Sequence, residues 1–225
     1  MTKSAWQERA RSLLTPAVIA LARAGVSPTF VTLVGLALNV VAGLAVGFGH
    51  AFVSGWLLTV AGVCDALDGQ LARRTGRVSR YGAFLDSTID RIDETVVLAG
   101  IAAWFLRTRG PHAEALAIVT LLGLAGSIIT SYTRARAEGL GLECKVGTFE
   151  RPERVVVTIA GLLCGPQALT GAILVVMVLS WITVLQRVVH VRNSVARLEG
   201  PDGRVAPGPH RGSAPASSGA FGGPH

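Results

Sequence analysis

The apolar positions of this chain fall in long unbroken stretches, not in the alternation of a strand or the narrow stripe of a surface helix. No charged residue occurs between Arg23 and Asp65, a run roughly twice the ~20 residues a helix needs to cross a hydrocarbon core. The stretch GFGHAF at 47–52 breaks that run and predicts a turn between two antiparallel spanning helices. Followed along the chain, the same pattern predicts six spans, at about 30–47, 52–72, 82–105, 113–133, 152–164 and 168–187. The third and fifth reach full length only by taking charged residues into their first turns, and charges inside spans usually line a cavity. Continuous apolar runs do not suit a barrel, whose strands alternate. The expectation is an all-α integral membrane protein with six transmembrane helices.

Ahead of the first span, TPAVIALARAGVSP reads as a short amphipathic helix lying along the membrane surface. Thr15 is placed to cap it, Pro16 to occupy its first position and Gly25 to end it. Ser27 and Pro28 repeat the cap-then-proline pattern at the start of the first span. The residues from Glu199 on are rich in Gly, Pro, Ala and Ser and are expected to be disordered. The chain therefore divides into a cytoplasmic segment with its juxtamembrane helix (1–27), a six-span domain (28–198) and a tail (199–225).

Composition agrees with the pattern. Half of the 225 residues are hydrophobic and 16% are charged, against about a quarter charged in soluble domains. The net charge of +7 does not signal nucleic acid, because the basic residues gather between spans. Lys3, Arg9, Arg11 and Arg23 precede the first, Arg73, Arg74, Arg77 and Arg80 follow the second, and Arg134, Arg136, Lys145, Arg151 and Arg154 follow the fourth. Arg187, Arg192 and Arg197 come after the sixth, while the opposite side holds only Arg107 and Arg109. By the positive-inside rule both termini face the cytoplasm of a plasma-membrane protein. The N-terminal stretch has no signal-peptide pattern. Cys64, Cys144 and Cys164 have no metal-like spacing and suggest no disulfide framework.

One stretch stands against this background: DALDGQLARRTGRVSRYGAFLDSTID, from Asp65 to Asp90. Asp65 and Asp68 are three apart at the end of the second span, and Asp86 and Asp90 four apart at the start of the third. Each spacing sets a pair on one helical face, and the short loop predicts that the two helices are neighbours. An acid at a span centre costs roughly 2.5–3.5 kcal/mol, and four converging carboxylates repel unless a cation joins them. Hard oxygen ligands favour Mg²⁺, Mn²⁺ or Ca²⁺. Simple pairing with Arg73, Arg74 and Arg91 is the plain alternative, but pairing does not require the phase. Gly69 admits a ligand close to the backbone, and Arg73, one turn on, suits a phosphate oxygen. Gly82, one turn before Asp86, offers a second close approach.

Written as D-x2-D-G-x2-A-R-x8-G-x3-D-x3-D, the residues Asp65, Asp68, Gly69, Ala72, Arg73, Gly82, Asp86 and Asp90 match at every position a motif of the CDP-alcohol phosphatidyltransferases, which this chain resembles. The resemblance covers nearly the whole core and implies a membrane enzyme of phospholipid synthesis with a six-span fold and a homodimeric assembly. It implies that Asp65, Asp68 and Asp86 hold Mg²⁺ or Mn²⁺ against the diphosphate of CDP-diacylglycerol. Asp90 would also touch metal and act as general base on the acceptor hydroxyl. Gly69, Arg73 and Ser79 stand at nucleotide-contacting positions, and PTFVT at 28–32 resembles a segment that closes over CDP, with Thr29 and Thr32 as donors. Helix capping is the plain alternative for the two threonines.

Three further stretches, SYTRARAEGLG, FERPER and LQRVVH, resemble the bacterial and archaeal branch whose acceptor is inositol phosphate. Arg134, Arg136, Arg151, Arg154 and Arg187 match its basic pocket for the acceptor's phosphate, with Arg134 standing where that branch has lysine. By residue chemistry alone, five arginines around one cavity say only that the acceptor is anionic, and positive-inside bias or anionic lipid headgroups would also place arginines here. Glycerol 3-phosphate is the alternative acceptor. Arg91, Asp93 and Glu94 read as local ion pairs, and Trp56, Trp104 and Trp181 as interface anchors or packing. The rival of another class is a divalent-cation transporter, which would use the acids but leaves Gly69 with Arg73 unexplained.

Overall fold

The computed structural model describes residues 3–198, with side chains described from 13 to 197. Among these residues it is all helical: α1 (Lys3–Arg23), α2 (Pro28–Gly47), α3 (Ala51–Arg74), α4 (Arg80–Thr108), α5 (Ala113–Gly139), α6 (Arg151–Cys164) and α7 (Pro166–Leu198). The tail expected to be disordered lies outside the described residues.

Local chemistry sets the helix ends. Ser27 caps α2 by accepting from the Phe30 N–H at 3.1 Å, with Pro28 at the first position, as the sequence predicts. Ser79 caps α4 in the same way, accepting from Gly82 N–H at 2.9 Å. The turn after α2 closes through Gly49, whose φ of +99° suits a residue without a side chain. The helix before the first span departs from expectation. It is one continuous helix of 21 residues from Lys3, with Thr15 and Pro16 inside it, not at its start. A proline removes one backbone hydrogen bond, and the strong helix formers around it, among them Ala10, Arg11, Leu13 and Leu14, carry the helix through.

The six predicted spans correspond one to one with α2–α7. Four of these, α2, α3, α5 and α7, are long and apolar enough to cross a membrane. The other two differ. Helix α4 is long enough, but its first half carries Asp86, Asp90, Arg91, Asp93 and Glu94, and α6 has 14 residues, about 21 Å of helix.

Packing joins α2 to α3, α3 to α6, α6 to α7, α7 to α5, α5 to α4 and α4 back to α2, a closed ring of six, with α1 set against α3. The expectation that α3 and α4 pack as neighbours is corrected here. Helix α2 stands between them, and the two acid-bearing helices lean on it from either side. Where α2 and α4 cross, the contact is backbone to backbone. A Cβ on Gly100 would sit 2.1 Å from the Gly43 carbonyl oxygen, and one on Gly43 would sit 2.6 Å from that of Val96. Such small-residue crossings are the usual packing of helices in lipid.

The ring is polarised along its length. Its apolar core, built from Ala42, Val46, Leu58, Ile101, Phe105, Leu162 and Ile173 with their neighbours, fills the half that includes the C-terminal part of α4. A smaller cluster of Val18, Val31 and Leu71 seats α1 at the other end. Large apolar side chains such as Val41, Leu44, Trp56, Leu121, Val175 and Val178 face outward, an arrangement that suits a lipid surround. The three cysteines are free.

Candidate active site

The site lies at the polar end, where the last turns of α3 face the first turns of α4 and α6. Asp65, Asp68 and Asp86 each present an oxygen within 4.8 Å of the others. Their different surroundings follow from their positions on the ring. Asp68 is buried and accepts a 2.6 Å hydrogen bond from the Thr32 hydroxyl on α2, whereas Asp65 and Asp86 are open. Three carboxylates at this separation form an all-oxygen donor set, which fits a hard divalent cation such as Mg²⁺ or Mn²⁺.

Asp90 stands beside this trio, not within it. Its Oδ1 lies 2.8 Å from Nη2 of Arg151, the first residue of α6. The same guanidinium donates from Nη1 to Asp65 Oδ2 at 3.1 Å and lies 3.8 Å from Asp93. One cation thus touches both acid-bearing helices. An Arg guanidinium has donors enough for such bridging, and its rigid fork suits oxyanions.

The nucleotide positions read from the sequence divide in the structure. The Arg73 guanidinium lies over Gly69, with Nη1 3.5 Å from where a Cβ there would be. Beside it is a cleft of about 350 Å³ between α1 and α3, lined by Thr15, Val18, Gln70, Arg73 and Arg74. Thr29 is exposed on the first turn of α2. Thr32 turns to Asp68, and Ser79 accepts from Gly82 as a helix cap.

The five arginines differ in their surroundings. Arg134 lines a groove of about 1060 Å³ between α4 and α5, together with Asp86, Asp90, Arg91, Ser131 and Tyr132, and it pairs with Glu138 at 2.9 Å. Arg136 is exposed. Arg154 and Arg187 are almost wholly buried, at 2% and 3% exposure. Arg154 donates to both Glu94 oxygens, at 2.7 and 3.3 Å, and to the Phe149 carbonyl at 3.3 Å. Arg187 donates from Nε to the Val146 carbonyl at 2.9 Å and from Nη1 to that of Thr130, with Glu150 3.9 Å from its Nη2. Gln186 and His190, on the same stretch of α7, meet Thr148 N–H and the Glu143 carbonyl. In this structure Arg154 and Arg187 therefore hold the 140–150 loop in place.

Sequence reasoning missed Asp93 and Glu94. Read as local pairs, they bond instead to arginines about sixty positions away. The signal was present: Glu94 continues the i, i+4 progression of Asp86 and Asp90 along one face of α4.

Comparison with known proteins identifies the family. The family model described as CDP-alcohol phosphatidyltransferase matches residues 14–192. A phosphatidylinositol phosphate synthase of Streptomyces avermitilis is 40% identical over 200 residues, covering 83% of this chain and 81% of that protein. The crystal structure of Mycobacterium tuberculosis phosphatidylinositol phosphate synthase with CDP-DAG bound superposes with a TM-score of 0.73 at 34% identity, over 80% of this chain and 94% of that one. The structure of the same enzyme in complex with manganese and citrate gives 0.73 and 34%, over 79% and 88%.

Proposed function

The chain belongs to the CDP-alcohol phosphatidyltransferase family, and from that premise we propose that it transfers a phosphatidyl group from CDP-diacylglycerol to the hydroxyl of an inositol phosphate, releasing CMP. The observation that carries an anionic acceptor is the position of Arg151, and the names of the relatives favour inositol phosphate within that class. That arginine places an anion-binding fork within 2.8 Å of Asp90, so an acceptor held there by its phosphate brings a hydroxyl to that carboxylate. A neutral alcohol lacks the oxyanion that this fork suits.

Asp65, Asp68 and Asp86, with Asp90 beside them, would hold a divalent cation, Mg²⁺ or Mn²⁺. When bound, the ion neutralises charge on the donor's diphosphate. Gly69 and Arg73 receive the nucleotide phosphates, with Thr29 and Ser79 around the cytidine and Thr32 beneath it, its hydroxyl on Asp68. Asp90 accepts the proton of the acceptor hydroxyl as its oxygen bonds to the lipid-side phosphorus. The bond from that phosphorus to the CMP oxygen breaks, and CMP leaves with the electron pair. A base in this role has to reach the hydroxyl within about 3 Å. Arg134 and Arg151 draw the acceptor's phosphate, Arg136 adds positive potential at the entrance, and Arg154 and Arg187 shape the pocket wall.

In this reading α4 and α6 cross the membrane with the other four, the polar end faces the cytoplasm with both termini, and two copies associate in the plasma membrane. The basic loops between alternate spans support that orientation.

CMP release by the purified protein with CDP-diacylglycerol and Mg²⁺ tests the function. Inositol 3-phosphate, glycerol 3-phosphate and free inositol are offered in parallel. Release with inositol phosphate alone is expected. Release with glycerol phosphate alone would keep the acid site and overturn the acceptor.

A further inference from the structure

The ring brings α4 and α6 to opposite sides of the polar interior, where they share no packed face. Yet three ion pairs cross between them: Arg151 to Asp90, Arg151 to Asp93, and Arg154 to Glu94. The last is the best made. Glu94 and Arg154 have 10% and 2% of their side chains exposed, and two parallel bonds join them. Arg154 also fixes the Phe149 carbonyl, at the end of the loop that leads into α6. Arg151 lies one turn before Arg154 on the same helix, so wherever Glu94 holds Arg154, Arg151 follows. A bidentate arginine–carboxylate pair fixes direction as well as distance.

We infer that Glu94 is a positioning residue. By clasping Arg154 it sets the first turn of α6, and through that turn it sets the guanidinium of Arg151 between Asp65 and Asp90. This rests on the role given above to Arg151. It adds that the aim of that arginine is decided on α4, one turn beyond Asp90. Glu94 itself touches neither substrate.

The claim predicts a pattern that mere loss of stability does not produce. Steady-state CMP release is measured for the full chain and for Glu94→Gln, Glu94→Ala, Arg151→Ala and the double variant Glu94→Ala/Arg151→Ala. Acceptor and CDP-diacylglycerol are varied separately, and thermal melts confirm folding. Misplacement by about an ångström can cost roughly a hundredfold. Glu94→Ala is therefore expected to lower kcat/KM for the acceptor by about tenfold to a hundredfold, with the KM for CDP-diacylglycerol unchanged. Glu94→Gln keeps the shape and one acceptor oxygen and is expected to lose less. In the double variant the Glu94 change is expected to add nothing to Arg151→Ala, because its effect passes through that side chain. Losses that multiply would overturn the inference, as would a Glu94→Ala enzyme with unchanged kinetics. Should Arg154 touch the acceptor directly, Arg154→Ala would cost far more than Glu94→Ala and would add to Arg151→Ala, which also overturns it. Should Glu94→Ala not fold, Glu94→Gln in the two backgrounds decides the same question. Failure of the proposed function is distinguishable, since the unaltered chain would then release no CMP with inositol phosphate; failure of the role given to Arg151 would show as Arg151→Ala leaving acceptor kinetics untouched.

Discussion

Asp68 and Asp90 carry the same side chain on facing helices, and their neighbours give them different work. Thr32 reaches Asp68 at 2.6 Å, which orients a carboxylate proposed to hold metal. Partners of this kind are worth about 10–100-fold in metal affinity. Thr32→Ala is expected to weaken Mn²⁺ binding on that scale, read from free Mn²⁺ by electron paramagnetic resonance without any turnover. Asp90 faces a cation and not a hydroxyl. Asp90→Asn should fold and still bind CDP-lipid with Mg²⁺, with turnover reduced roughly a hundredfold or more, the range of general-base contributions. Normal turnover in that variant would refute the assignment. At this scale the acids were legible, because spacings of three and four state a shared face outright. Arg91, named from the sequence as a pairing partner, lies 3.7 Å from Asp90; the closer partner was not legible, since nothing in local sequence points from position 90 to 151. Thr32 shows the same limit: its place in PTFVT marks it as functional, and only the fold shows which group it serves.

At the scale of the helices, a hydropathy profile locates six apolar segments but is blind to which of them touch. A short loop between α3 and α4 suggests contact, and the structure instead sets α2 between them. The reason lies in the glycines. Gly43 and Gly100 let α2 and α4 meet backbone to backbone, a closeness no larger residue permits. Gly100→Ala would drive a methyl group into the Gly43 carbonyl, and overpacking of this kind costs about 1–3 kcal/mol. The melting temperature in detergent is expected to fall clearly. Gly62→Ala is the control, because a side chain at Gly62 meets nothing within 4 Å. Helix propensity favours alanine at both sites, so a rise in both would mean that propensity, not the crossing, governs the effect. Helix α1 carries the complementary lesson: a proline reads as a boundary, but surrounding propensity can override it.

For the whole molecule, hydropathy within the spans outlined the helices, and charge between them carries the proposal that both termini lie on one side. Topology can be measured directly. With the three native cysteines replaced, Gly76→Cys in the α3–α4 turn and Gly110→Cys in the α4–α5 turn are expected to react with a membrane-impermeant maleimide from opposite faces. Labelling of both from one face would remove α4 from the count of crossings.

The meeting of Gly43 with Gly100 has a mechanical meaning as well. Ten residues separate Gly100 from Asp90, about 15 Å of helix. Along that length α4 behaves as a beam clamped twice, by bare backbone at one end and by salt links from α6 at the other. Such a beam does not swing; it can only bow. Prying the glycine clamp apart would bow the helix against the salt links that hold the carboxylates, and about an ångström of displacement there is the tolerance on which turnover depends. The far crossing is thus a gauge block for the chemistry, and its thickness is set by the absence of two methyl groups.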